Sequence, residues 1–167
     1  MESRSINAII QSLNQHQVRY LIVGGLAVVA HGHIRFTADV DLVLAIDTPN
    51  LASAIGAIKS LGYIPRVPVA IEEFQNAESR RRWATEKQMK VFSLFSDVHP
   101  KTTIDLFLEP PFDFDGAFSR AIEIEVAPGI PARFCGFDDL IELKRQAGRP
   151  LDLDDIEKLR RLREASQ

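Results

Sequence analysis

The sequence predicts an α/β (α+β) fold, a mixed β-sheet of about five strands flanked by helices, with two further helices at the C-terminus. Three observations support this prediction. β-like runs alternate with helical segments over the first 62 residues, two helical segments with no strand between them close the chain, and 46% of the 167 residues are hydrophobic. That share supplies a core without a disulfide or a structural metal. We therefore expect a single domain over residues 1–167, with its core at about 18–135 and a C-terminal helical segment at about 137–165.

The first third of the chain predicts the order helix, strand, helix, strand, helix. Residues 5–16 place isoleucine and leucine at helical spacing, and residues 20–23 form an apolar run that ends at Gly24-Gly25. A short helix follows and is expected to end near Gly32. Residues 39–46 are rich in Val, Leu and Ile, which favours a strand, and helix-start residues precede a helix at 51–61.

The rest of the chain predicts two hairpins and two helices. Residues 63–69 favour a short strand, and the polar segment 71–88 is expected to be partly helical. Residues 89–95 and 102–108 form one hairpin with a longer loop, and residues 121–127 and 130–134 form a second around Pro128-Gly129. The segment Asp113 to Gly116 is interpreted as a turn. Helices are expected at 137–147 and 153–165.

Charge and composition exclude several classes of protein. The net charge of −3 argues against a generally basic nucleic-acid binder, although a local basic patch stays compatible with it. The single cysteine, Cys135, cannot form an internal disulfide, which fits a reducing compartment. The N-terminus lacks the apolar core of a signal peptide, and no run reaches the length of a membrane span. These features predict a cytoplasmic protein with no membrane partner.

The strongest chemical motif is a pair of acids at the start of a strand, Asp39-Val40-Asp41. Residues two apart in a strand point to the same face, so Asp39 and Asp41 project together while Val40 faces the core. Two carboxylates on one face repel each other and are stabilised by a cation. Hard oxygen ligands of this kind suit Mg²⁺ or Mn²⁺.

A third acid, Asp105, lies between Ile104 and Leu106 in a strand-like run. An acid between apolar neighbours is costly unless its side chain reaches a site. If the strand at 102–108 lies beside that at 39–46, Asp105 joins the acid pair. Three carboxylates can then hold two metal ions roughly 4 Å apart for in-line phosphoryl chemistry, with Asp105 as the candidate general base.

Gly24 and Gly25 precede the acids at the end of a strand and the start of a helix. The absence of side chains allows the backbone to approach a phosphate closely, and amides at a helix start favour anions. We therefore expect both glycines to contact the phosphates of a nucleotide.

The pattern of a hydrophobic residue and Gly-Gly, thirteen residues, Asp-Val-Asp-Leu and a later Ile-Asp-Leu resembles the DNA polymerase β-type nucleotidyltransferase superfamily. Its nearest likeness is to the AbiEii-like group, and it covers about residues 20–162. Arg35 and Thr37, which precede the acids, fit that group, as does the spacing of Lys144, Arg149, Asp152 and Asp155. The resemblance implies a nucleotidyltransferase fold in which Lys144 contacts the nucleotide phosphates and Asp155 orders that lysine or the substrate. It also implies nucleotide-binding positions at Arg35, Thr37 and Arg149.

The resemblance further implies transfer of a nucleoside monophosphate from an NTP such as ATP to a hydroxyl acceptor, catalysed by Asp39, Asp41, Asp105 and Lys144. The acceptor is open between RNA or tRNA, a protein and a small molecule. Many AbiEii-like proteins are toxins of toxin–antitoxin pairs, so a cognate antitoxin is a further expected partner. Two alternatives stay open: a catalytically silent module that binds a nucleotide or a partner protein, and an antibiotic-modifying nucleotidyltransferase.

Plainer interpretations stand beside these predictions. The acid pair could lie on a solvated strand edge, and Lys144 and Arg149 could simply stabilise a helix C-terminus. Strand-Gly-Gly-helix is also compatible with a dinucleotide site, although the third glycine of that motif is missing. His31 and His33 favour packing or capping over a metal site, and Arg35 could be a surface residue. The basic run Arg80 to Arg82 with Trp83, Lys87 and Lys90 indicates either a nucleotide or RNA contact surface or a solvated face.

Overall fold

The structure is a computed structural model that describes residues 2–165, so residues 1, 166 and 167 of the expected domain lie outside it. Its helices are α1 (Ser3–Gln15), α2 (Gly24–Ala30), α3 (Thr48–Ser60), α4 (Ala77–Glu86), α5 (Phe114–Ser119), α6 (Phe137–Ala147) and α7 (Pro150–Ala165), with a 3₁₀ helix at Ile71–Gln75. Its strands are β1 (Tyr20–Ile22), β2 (Asp39–Leu44), β3 (Ile64–Pro65), β4 (Val91–Phe95), β5 (Thr103–Phe107), β6 (Ile122–Ala127) and β7 (Ile130–Phe134). The α/β class is therefore confirmed.

The strands form one mixed sheet in the order β3-β4-β5-β2-β1-β7-β6. β2 and β5 are parallel, as are β1 and β7, and the other neighbours are antiparallel. The prediction of about five strands was wrong, because residues 2–165 form a sheet of seven. The hairpin β6–β7 joins the sheet at one residue pair, Ile22 with Phe134, and β3 has only two residues. Such short long-range joins leave no local pattern in the sequence.

The central strands bury one face and leave the other half-exposed. Burial alternates with a period of two along β4, along β5 and over residues 39–42 of β2, where the buried side chains are those of Phe92, Leu94, Ile104, Leu106, Val40 and Leu42. On the buried face, Phe92 stacks on Trp83 of α4 at 4.9 Å and lies 5.5 Å from the ring of Phe74. Burying these rings removes large apolar areas from water and holds α4 and the 3₁₀ helix against β4. The opposite face therefore presents the polar residues of the same strands.

Two local details differ from the sequence prediction. Residues 71–88 are partly helical, as expected, but Asp113 begins a real helix, because its carboxylate accepts a hydrogen bond from the Gly116 amide at 2.9 Å. Helix α7 begins earlier than expected, at Pro150, a residue whose fixed φ suits the first helical position. In the described residues 2–165, no helix has both the length and the apolar character needed to cross a bilayer.

Candidate active site

The parallel pairing of β2 with β5 brings the three predicted acids together. Asp41 pairs directly with Asp105, and Asp39 pairs with Thr103. Paired residues of neighbouring strands project to the same face and lie about 5 Å apart. All three carboxylates are on the half-exposed face of the sheet. The convergence expected from the sequence is therefore present, whereas a metal-binding role for these acids stays a prediction.

The acids perturb one another electrostatically. Burial, followed by the negative charges of Asp105 and Asp39, raises the pKa of Asp41 from 3.8 to about 6. The pKa of Asp105 is also raised, mainly by burial and further by Asp39. These shifts mean that the charged forms are destabilised without a compensating cation. Hard carboxylate oxygens crowded in this way fit a divalent ion such as Mg²⁺ or Mn²⁺.

Gly24 closes the site on the β1 side. Its φ is +64°, and a Cβ built there would lie 1.9 Å from Oδ2 of Asp41. The next residue, Gly25, directs its amide toward the same carboxylate, which opposes the rise in the pKa of Asp41. A Cβ on Gly25 would lie 2.6 Å from Oγ1 of Thr37. Both glycines are thus required by close packing against Asp41 and Thr37, while their expected contact with phosphates stays a prediction.

The segment between α2 and β2 places alternate side chains toward the site. Arg35 and Thr37 are half-buried, whereas Ile34 and Phe36, which alternate with them along the chain, are exposed. Arg35 Nη1 donates to Oδ2 of Asp155 at 2.6 Å. Arg35 is therefore neither a free surface residue nor an unpaired phosphate ligand in this structure, because it forms an ion pair with a buried carboxylate.

Lys144 lies in a buried ionic network between α6 and α7. Its Nζ donates to Asp155 Oδ2 at 2.7 Å and to Asp152 Oδ1 at 3.2 Å, and only 5% of its side chain is exposed. Direct contact between Lys144 and a nucleotide phosphate, as the resemblance implies, does not fit this enclosed position. The other implied role, in which Asp155 orders the lysine, agrees with the contact between them. Lys144 therefore holds the two C-terminal helices together.

Arg149 is the C-terminal cation that faces the acids. Its Nε donates to Oδ2 of Asp152 at 2.7 Å, yet 76% of its side chain is exposed. Burial alone raises the pKa of Asp152, but the hydrogen bonds from Arg149 and Lys144 outweigh it and hold that pKa below its usual value. The charge of Arg149 also lowers the pKa of Asp41, so the guanidinium lies near the acid cluster. A substrate phosphate at the cluster would meet Arg149 before Lys144.

Comparison with models of known protein families finds none that matches this chain, and comparison with curated proteins finds no match either. The likeness to nucleotidyltransferases therefore depends on the motifs and on the geometry of the acid cluster.

Three residues of the site were missed in the sequence. Thr103 Oγ1 donates to Oδ1 of Asp39, and Ser93 hydrogen-bonds the carboxylate of Asp105, which opposes the rise in its pKa. The Arg66 amide donates to the Ser93 carbonyl oxygen at 3.0 Å. Ser93 could have been found as the one polar residue of the strand Val91–Phe95, but its partner depends on a pairing with β5 that local patterns do not reveal.

The histidines divide between packing and a possible ligand cluster. His31 Nε2 hydrogen-bonds the Cys135 carbonyl oxygen at 2.9 Å, a packing role that the sequence favoured. His33 lies near two acids of α7, Asp154 and Asp155, which the sequence did not connect with it. Asp155 is paired through Oδ2 with Lys144 and Arg35, whereas its buried Oδ1 accepts no hydrogen bond within residues 2–165 and lies 4.0 Å from His33 Nε2.

The basic run at residues 80–90, in α4 and just after it, is only partly exposed to solvent. Arg80 is buried and donates from Nη1 to the Phe74 carbonyl oxygen at 2.7 Å, and Trp83 is buried against β4. Arg81, Arg82 and Lys90 are exposed. The run therefore lacks the exposed aromatic that stacking on a base would require.

Proposed function

We propose that the chain is a metal-dependent nucleotidyltransferase that moves a nucleoside monophosphate from an NTP to a hydroxyl acceptor. The observation that carries the proposal is the pairing of Asp41 with Asp105 on the half-exposed face of the sheet, with Asp39 one pleat away. A solvated strand edge would leave the acids apart, whereas here the pKa of Asp41 is raised to about 6 by burial and by its acidic neighbours. Perturbed acids gathered in one place are typical of functional sites.

Asp39, Asp41 and Asp105 are the residues that would hold Mg²⁺ or Mn²⁺, and three carboxylates provide ligands for two ions. When bound, such ions neutralise the triphosphate and make an attacking hydroxyl more acidic. The raised pKa values of Asp41 and Asp105 support the fit, because a divalent cation relieves the same repulsion that causes part of each rise.

The chain's own residues would act on the proton and on the phosphates. The acceptor oxygen forms a bond to the α-phosphorus, the bond from that phosphorus to the bridging oxygen breaks, and pyrophosphate leaves with the electron pair. Asp105 accepts the hydroxyl proton, for which its raised pKa suits it. Arg149, exposed beside Asp41, offers a fork of donors to the triphosphate. Arg35, Lys144 and Asp155 hold the surrounding segments in place through their ion pairs.

A screen of labelled NTPs with Mg²⁺ against RNA, protein and small hydroxylated acceptors tests this function. Asp105→Asn should lower turnover at least about 1,000-fold, because a metal ligand and the general base are lost together. Asp97→Asn, an exposed acid in the loop between β4 and β5, is the matched control and should retain full turnover. Undiminished activity in Asp105→Asn would contradict the proposal, and NTP binding without turnover on any acceptor would favour a silent nucleotide-binding module.

A further inference from the structure

The proposed site has two distinct sides along one row of the sheet. The row crosses neighbouring strands, from Gly24 after β1 through Asp41 on β2 and Asp105 on β5 to Ser93 on β4. The Ser93 carbonyl oxygen accepts a hydrogen bond from the Arg66 amide. Gly24 and the charge of Arg149 lie beside Asp41, which favours the triphosphate there. Because attacking and leaving oxygens are roughly in line in phosphoryl transfer, the acceptor must approach from the Asp105 side.

Arg66 lies on this acceptor side, within reach of the reacting position. Its backbone is two strand spacings from that of Asp105, about 10 Å, and an arginine side chain spans most of that distance. Its guanidinium lies over the ring of Phe95, with Cζ 5.6 Å from the ring centroid. The same charge lowers the pKa of Asp105, so the guanidinium is close to that carboxylate.

Arg66 differs from the other arginines around the site in its pairing. Arg35 is bonded to Asp155, and Arg149 is bonded to Asp152. Within residues 2–165, the guanidinium of Arg66 has no carboxylate partner within 4.0 Å, and the residue is exposed. An arginine held over an aromatic ring and not engaged in an ion pair is preorganised to bind an anion from solution.

We propose that Arg66 is the acceptor-side specificity residue, and that it binds a phosphate group which the acceptor carries next to its attacking hydroxyl. The proposal rests on the nucleotidyltransferase function and narrows its substrate class. Three carboxylates repel an anionic acceptor, so an acceptor with a phosphate needs a cation on this side, whereas a neutral or cationic acceptor does not. The planar fork of arginine matches phosphate oxygens two at a time.

A pair of acceptors that differ only in the phosphate tests the proposal: a nucleoside and its 5′-monophosphate, which offer the same 3′-hydroxyl. With labelled NTP and Mg²⁺, the wild-type chain should use the monophosphate about 10- to 100-fold more efficiently in kcat/KM. Arg66→Gln should bring that ratio close to one by raising KM for the monophosphate, while KM for the NTP stays unchanged. Arg66→Lys should restore part of the preference.

A binding measurement serves as a second readout, with a non-hydrolysable NTP analogue filling the nucleotide side. Wild-type protein should bind the monophosphate at least about tenfold more tightly than the nucleoside, and Arg66→Gln should remove the difference. Arg133→Gln is the control, because Arg133 also lies over an aromatic ring, at 4.7 Å from that of Phe118, but on β7 beyond the acid cluster. It should change neither readout.

The outcomes distinguish a failure of the role of Arg66 from a failure of the proposed nucleotidyltransferase function. Normal NTP turnover with equal use of both acceptors, in wild type and in Arg66→Gln, would overturn the role of Arg66 and leave the transferase intact. An unchanged preference in Arg66→Gln would do the same. Absence of both Mg²⁺ binding and NTP turnover in the wild-type chain would overturn the transferase and the role of Arg66 together.

Discussion

Replacing Asp41 by Asn should stabilise the metal-free protein, although it removes a residue of the candidate site. Burial and two acidic neighbours raise the pKa of Asp41 from 3.8 to about 6, so the charged carboxylate destabilises the native state at neutral pH. A shift of about two pKa units corresponds to about 3 kcal/mol. Asn has the same shape beside Gly24 and still accepts the Gly25 amide. In EDTA at pH 7.5, Asp41→Asn should therefore raise the free energy of unfolding by up to about 3 kcal/mol, or Tm by about 6 to 12 °C.

The pH dependence of stability provides an independent check on the same residue. Because the pKa of Asp41 is higher in the native than in the unfolded chain, the native state binds more protons between pH 3.8 and about 6. The stability contributed by protonated Asp41 is full below 3.8 and is lost as the pH rises through about 6. Metal-free Asp41→Asn should lose the part of that decline that Asp41 contributes and keep the part that comes from the raised pKa of Asp105, whereas Asp97→Asn should retain the whole decline.

Addition of Mg²⁺ should reverse the order of stability. A ligand at 1,000 times its Kd stabilises the native state by about 4.1 kcal/mol, which exceeds the difference of up to about 3 kcal/mol between the metal-free proteins, and Asp41→Asn should gain much less than the wild-type chain. Urea unfolding with and without Mg²⁺ measures both differences. A metal-free Asp41→Asn that is less stable than wild type, or one that gains as much from Mg²⁺, would refute the view that Asp41 belongs to a repelling, cation-binding cluster.

Two further substitutions test the packing around the cluster. Gly24→Ala should abolish the stabilisation by Mg²⁺, because its Cβ would lie 1.9 Å from Asp41 Oδ2. Gly129 also has a positive φ, but a Cβ there would have nothing within 4 Å, so Gly129→Ala is the control. It should lower the free energy of unfolding only by the backbone strain of about 1–2 kcal/mol. Equal effects of both substitutions in thermal unfolding and Mg²⁺ titration would exclude the steric explanation. Lys144→Met should lower the free energy of unfolding in urea by about 3 kcal/mol, because two buried carboxylates lose their cation. Lys158→Met, which removes an exposed ion pair, should lower it by less than about 1 kcal/mol. A loss in Lys144→Met as small as that in Lys158→Met would contradict the structural role of Lys144.

The acid pair was predictable because its evidence is local. Asp39 and Asp41 share a face through the period of the strand, and the glycines stand at a strand-to-helix junction. The position of Asp105 required one long-range condition, that its strand lie beside β2, and the register of that pairing then brought it opposite Asp41.

Other parts of the site depend on contacts that no local pattern contains. The burial of Lys144 depends on how α7 turns back on α6, at Gly148 with φ +64°, so that Asp152 and Asp155 reach the lysine. Arg66 stands in a proline-rich segment, and the antiparallel pairing of β3 with β4 brings it beside the site. The strand count failed for the same reason, because β3 joins the sheet through two residue pairs and the β6–β7 hairpin joins it through one.

Anomalous diffraction from crystals grown with Mn²⁺ and a non-hydrolysable NTP analogue tests the central claim most directly, because it locates the ion without relying on activity. The account predicts an anomalous peak between the carboxylates of Asp41 and Asp105, within coordination distance of both. Ordered Mn²⁺ only at His33, Asp154 and Asp155, or nucleotide bound with no ion at the paired acids, would contradict it.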